Sequence, residues 1–165
     1  HMDKTAVVYY SLDGHTDLVA MRISERLECP AIRLHLVKEF SITNTFLKYF
    51  WAGKSSVFRE KPALMDTGLD PDAYDTLVIA TPVWAGDVSS PVRSFISSHS
   101  FHGKRVFLVA TNSGGSFERC FSTMRELLPA ASVGGEIGFV KITKDIYPAH
   151  RHRLEEFCKT ILAKR

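Results

Sequence analysis

The sequence predicts a three-layer α/β domain: a five-stranded parallel sheet of order 2-1-3-4-5 with helices on both faces. Three observations carry this expectation. Runs of β-branched and aromatic residues alternate about five times with stretches of helical spacing, the pattern of a parallel sheet covered by helices. The central runs "TLVIAT" and "RVFLVAT" are almost unbrokenly apolar, as strands buried on both faces must be. The 165 residues, 45% of them hydrophobic, suit one domain with a real core.

The strand runs are Ala6 to Tyr10, Ile32 to Leu36, Thr76 to Thr81, Arg105 to Thr111 and Gly135 to Ile142. Asp17 to Leu27 has helical spacing, with Leu18, Ile23 and Leu27 among polar residues. Val92 to Ser98 is a shorter helix with Val92, Phe95 and Ile96 on one face. Ser90 is its expected cap and Pro91 its first residue, where a missing N–H and a fixed φ are harmless. Phe117 to Leu128 repeats Phe117, Phe121, Met124, Leu127 and Leu128, and Arg153 to Ala163 repeats Leu154, Phe157, Cys158, Ile161 and Leu162. The expected domain runs from 2 to 165, with His1 a cloning remnant.

Several classes are set aside. No apolar run approaches the roughly 20 residues of a membrane span, and no secretory signal is visible, so no stable membrane insertion is expected. Cys29, Cys120 and Cys158 are widely spaced with no CxxC pair, which suits free thiols in a reducing cytoplasm and no metal site. A net charge of +3 is too small and dispersed to argue for nucleic acid.

In such a sheet the ligand lies beyond the carboxyl ends of the strands, at the switch point between the first and third. The loops that matter are therefore 11–16, 82–90 and 111–116. Ser11-Leu12-Asp13-Gly14-His15-Thr16 ends a strand and opens a helix. Gly14 permits a positive φ, the amides can converge, and the helix dipole adds positive potential. Two readings stand: an anion cradle without a cation, or a plain turn capped by Thr16. A Walker loop would need a Lys, and the dinucleotide fingerprint two more glycines. A phosphatase of this fold would want a Cys in this loop, and a receiver domain an Asp where Thr81-Pro82 ends the third strand. In the second loop Pro82 should turn the chain out of the sheet. Trp84 then offers a flat face to a planar ligand or fills the rim of the core. In the third loop Gly114-Gly115, between Ser113 and Ser116, permits close approach of backbone or is a flexible turn.

On these residues the chain resembles the flavodoxin family, over roughly residues 4 to 163. "YSLDGHT" is similar to that family's FMN-phosphate loop, usually T/S-x-T-G-N-T. "TPVWAGDVSSPVRSFI" resembles the P-x-W-x-G-x-x-x-P-V-R-x-F segment of its single-domain bacterial members. "NSGGS" is similar to their third flavin loop, and the insert "FLKYFWAGKSSVFREKP" to a segment of the same branch. The resemblance implies a flavodoxin-like sandwich and noncovalent FMN. It implies that Ser11, Leu12, Asp13, Gly14, His15 and Thr16 hold the phosphate. Pro82, Val83, Trp84, Ala85 and Gly86 would line the isoalloxazine, with the Ala85-Gly86 peptide able to turn toward flavin N5. Thr111, Asn112, Ser113, Gly114 and Gly115 would meet the pyrimidine edge. No side chain is expected to be catalytic.

The departures are specific. Asp13 replaces a hydroxyl, and its carboxylate is expected to point outward, away from a phosphate. His15 replaces Asn, no Tyr occupies the third loop, and the computed pI of 8.8 differs from the acidic surface of many flavodoxins. The leading expectation is an FMN electron carrier between redox partner proteins, a reductase and an acceptor. The alternatives are an NAD(P)H-dependent flavin or quinone oxidoreductase and a cofactor-free interaction module. Phe46-Leu47-Lys48-Tyr49-Phe50-Trp51 either caps the core, shields the flavin, or forms a partner, homodimer or membrane surface. His150-Arg151-His152-Arg153 opens the last expected helix, where positive charge is unfavourable. It is read as a solvated charge run, or as contact for a phosphate-bearing partner such as NADPH.

Overall fold

β1 (Thr5–Tyr9), β2 (Ala31–Arg33), β3 (Thr76–Trp84), β5 (Arg105–Asn112) and β6 (Ser132–Val140) form a parallel sheet, and a two-residue β4 (Asp87–Val88) folds back antiparallel on the end of β3. The computed structural model describes residues 3–39 and 44–164, so His1, Met2 and Arg165 lie outside the described residues. The order β2-β1-β3-β5-β6 is the expected 2-1-3-4-5 with β4 as an added spur.

The apolar strand runs are explained by the period of two. Along β3, Leu77 and Ile79 enter one core, while Val78 and Ala80 enter the other. α1 (His15–Leu27) and α5 (Tyr147–Ala163) cover the Val78 face with Val19, Ile23, Leu154 and Ile161. α3 (Ser90–Ser97) and α4 (Glu118–Glu126) cover the Leu77 face with Val92, Phe95, Phe121 and Met124. α2 (Thr45–Val57) adds only Ala52 to that core.

Element ends shift for identifiable reasons. β2 stops at Arg33, short of Leu36, because the chain turns from β1 to the 63–65 segment: the Val37 amide donates to Ala63 O and the Met65 amide to His35 O. Pro82 does not expel β3 from the sheet. It lies opposite Thr111 of β5, and β1 has already ended at Tyr9, opposite Ala80, so no ladder bond is lost. α3 starts at Ser90, with Ser89 in the cap position but making no side-chain cap bond: the Ser89 hydroxyl accepts from Thr81 and the Ser90 hydroxyl is engaged with Ser55, both at 2.8 Å. α5 begins at Tyr147 rather than Arg153. His150 to Arg153 therefore lie within the helix, with Arg153 donating to Gly138 O and covering the Phe139 ring.

The glycines of β6 make room for rings. A Cβ at Gly134 would sit 2.7 Å from the buried Phe107 ring, whereas one at Gly114 would meet nothing within 4 Å. Gly134→Ala should lower stability by about 1–3 kcal/mol through overpacking. Gly114→Ala should leave it within a few tenths of a kcal/mol or slightly raised. Urea midpoints at unchanged m-value check both.

Candidate functional site

The first loop is held by its own side chains. Gly14 caps α1 with φ 97°, a conformation that other residues adopt only with strain. The buried Ser11 Oγ accepts the amides of Gly14 and Asp17, both at 3.1 Å. Its own hydroxyl proton is left to donate. Thr16 is not the cap. Its hydroxyl is buried against that of Thr111 at 2.8 Å, joining the first loop to the end of β5. Among the described residues, the amides of Leu12, Asp13 and Thr16 have no protein acceptor.

Asp13 does not simply point to solvent. Its Oδ1 accepts the His15 amide at 3.1 Å, its Oδ2 accepts the Tyr49 hydroxyl from α2, and the His15 Nδ1 lies 3.4 Å away. A short acid two residues before an amide closes such a turn readily, and Tyr49 holds it across the mouth of the loop. Burial, then the hydrogen bond to Asp13 and its charge, push the Tyr49 phenol up to about 12, so it remains a donor. A cation also stands behind the loop. Arg33 donates to Ser11 O at 2.8 Å and lies 3.7 Å from Asp17.

The second loop is a tight hairpin. Trp84 pairs with Asp87, and Ala85 and Gly86 have φ of 51° and 78°, the signs a two-residue type I′ turn requires. Trp84 is only 4% exposed, its ring set edge-on to Tyr10 at 5.6 Å. It offers the cavity a margin rather than a broad face. Arg119 of α4 lies over the turn and donates to Ala85 O. A Cβ at Gly86 would come within 3.2 Å of its guanidinium. Below the turn, Asp87 is 3.6 Å from the buried Arg93. In the third loop Asn112 accepts from the Gly114 amide and donates to Ser116 O, closing the turn on itself.

The three loops meet at one cavity of about 330 Å³. It is lined by Leu12, Asp13 and His15 from the first, Pro82, Val83 and Trp84 from the second, and Thr111, Asn112 and Ser113 from the third. Tyr49 closes it from α2. Larger hollows flank α2 and α5, but none gathers these loops. Of the expected residues, Ser11 and Thr16 lie beneath the loop, and Gly14 faces the neighbouring hollow with Asp13 and His15. Ala85, Gly86, Gly114 and Gly115 do not line the cavity. Sequence reasoning missed Tyr49, Arg33 and Arg119. Arg33 was findable, since it sits opposite Tyr9 in the β1–β2 register. Tyr49 lay within the aromatic segment 46–51, for which shielding the flavin was one of several readings, with no residue singled out.

Comparison with known proteins gives the family and the fold. The family model described as Flavodoxin matches residues 4–147. A candidate flavoprotein from Bacteroides uniformis superposes with a TM-score of 0.78 at 24% identity, covering 95% of this chain and 98% of its own. A flavoprotein from Lactobacillus acidophilus solved in complex with FMN gives 0.70 at 18% identity, covering 91% and 98%. Oxidised flavodoxin 1 from Bacillus cereus gives 0.58 at 11%, covering 98% of each chain. No curated protein matches the chain.

The buried hydroxyl pair beneath the cavity carries a prediction. Thr16→Val and Thr111→Val should each cost about 1–2 kcal/mol, because each strands the other hydroxyl. The double variant should cost less than the sum of the two. Denaturant melts of the four proteins give the coupling energy.

Proposed function

Because the chain belongs to the flavodoxin family, we propose that it binds FMN where its three loops meet and carries electrons between partner proteins, a reductase and an acceptor. The observation that supports this most is a cavity lined by residues of all three strand-end loops. Its volume of about 330 Å³ falls in the range of small-molecule sites.

The residues present fit the group. The free amides of Leu12, Asp13 and Thr16, the Ser11 hydroxyl and the N-terminus of α1 would hold the phosphate. Tyr49 and the margin of Trp84 would bound the ring together with Pro82 and Val83, so that α2 supplies the aromatic side chain the third loop lacks. Thr111, Asn112 and Ser113 would meet the pyrimidine edge. Bound there, FMN supplies the redox chemistry, taking and returning electrons one or two at a time. The chain's own work is to bind, orient and cover. Arg119, by holding Ala85 O, fixes which way the second-loop peptide faces.

Asp13 opposes the phosphate and Arg33 offsets it. With the carboxylate turned onto the His15 amide, removing its charge should strengthen binding. Titration of apoprotein with FMN, followed by flavin fluorescence, is expected to saturate at one equivalent. Asp13→Asn should tighten binding about three- to tenfold, most at low salt. Gly14→Val should abolish it, and Trp84→Ala should weaken it. Failure to bind micromolar FMN would overturn the proposal. Mixing the anaerobic holoprotein with NADPH tests the carrier role. No bleaching is expected without a reductase, and prompt bleaching would make the protein an NAD(P)H oxidoreductase instead.

A further inference from the structure

α2 is turned inside out. The side packed on the protein is small and polar: Ala52, Ser55 and Ser56, with Ser55 bonded to Ser90 and Ser56 to Val88 O. The outward side is large and apolar. Phe46 is 76% exposed, and Leu47, Phe50, Trp51 and Val57 are exposed with it. At 3.6 residues per turn these five and Lys54 fall within an arc of about 140°. The arc runs the length of the helix, about 18 Å, and continues into Phe58. An ordinary surface helix buries its apolar stripe, so this one is built for something outside the chain.

We propose that this face docks on an anionic lipid surface. The charge distribution supports that occupant. Residues 38–61 hold Lys38, Lys48, Lys54, Arg59 and Lys61 against only Glu39 and Glu60, which accounts for the chain's whole excess of +3. α2 itself contains no acid. Lys54 lies back over the Trp51 and Phe58 rings, at 5.0 and 5.6 Å, as a long cation does when its stem covers apolar surface and its head seeks a polar layer. Trp51 and Lys54 also border a hollow of about 560 Å³ shared with Lys38, Lys61, Ser55 and Glu60, a place for a phosphate headgroup beside the apolar arc.

The other occupants suit the face less well. Two copies meeting here would set Lys54 against its own kind with no acid on either helix to answer it. A protein partner would want roughly one hydrogen bond per 100–200 Å², and the arc offers only the Lys54 ammonium and the Trp51 indole. A lipid interface asks for no such bonds and is read by aromatic rings and lysines together. Among the described residues no helix is long and apolar enough to cross a membrane, so the attachment is one of lying on the surface. It does not depend on FMN.

Flotation of the full chain with phosphatidylcholine vesicles, with and without about one quarter phosphatidylglycerol, tests the proposal. The expected result is partition onto the anionic vesicles with a blue shift from Trp51. Trp84, already buried, contributes little to that shift. Substituting Phe50→Ser and Trp51→Ser together should lower partition at least about tenfold. Lys54→Gln and Lys61→Gln should each lower it about fivefold, with unfolding midpoints checking that the fold is kept. No partition onto anionic vesicles would overturn the proposal. Partition that survives the double aromatic change would also overturn it. So would a dimer in solution that the aromatic changes dissolve without any vesicle binding, since that would assign the face to a second copy.

Discussion

The cavity depends on parallel strands ending at different heights. β1 stops at Tyr9, level with Ala80 of β3, while β3 runs on to Trp84 and β5 to Asn112. Above the end of β1 there is a notch, with the overshooting strands as one wall. The first loop has to cross it, and the Thr16–Thr111 hydroxyl pair ties that loop back to the taller strand. Pro82 is compatible with the overshoot because the strand that would have accepted its N–H is already gone. The hairpin at Ala85-Gly86 then ends the climb, with both residues at positive φ and Arg119 fastened over the carbonyl. The notch becomes a pocket when Tyr49 closes its open side.

The same loop shows how an anion site can be both ready and restrained. The Ser11 oxygen and the Asp13 carboxylate between them take the amides of Gly14, Asp17 and His15, which holds the turn in shape. The amides of Leu12, Asp13 and Thr16 are left for an outside acceptor. A carboxylate so close to them works against a second negative charge, and Arg33 beneath the loop works the other way. α2 serves both sides. Tyr49 lines the site, and the arc of rings from Phe46 to Trp51 faces outward.

Much of this was legible in the sequence. Continuous apolar runs announced strands buried twice over, their alternation with helical spacing gave the sheet, and the strand ends marked the three loops that do meet. What escaped was set by tertiary neighbours. Ser90 looked like a cap, but its hydroxyl is engaged with Ser55 across the chain. Trp84 looked like a platform, but Tyr10 holds it edge-on in the core. Asp13 was expected to turn away and is held instead by a tyrosine 36 residues further on. The inverted helix is the clearest case. Its composition showed many rings, but only the packing shows that they face out while the serines face in.

The first loop's free amides, in the proposed function, would receive the phosphate of FMN. That placement is tested most directly by following the ¹⁵N-labelled apoprotein's amide resonances as FMN is added. Large, saturable shifts are expected at Leu12, Asp13 and Thr16, with smaller ones at Val83 and Ser113. FMN binding that left those three amides unmoved, or shifted instead the lysine-lined hollow beside α2, would contradict it.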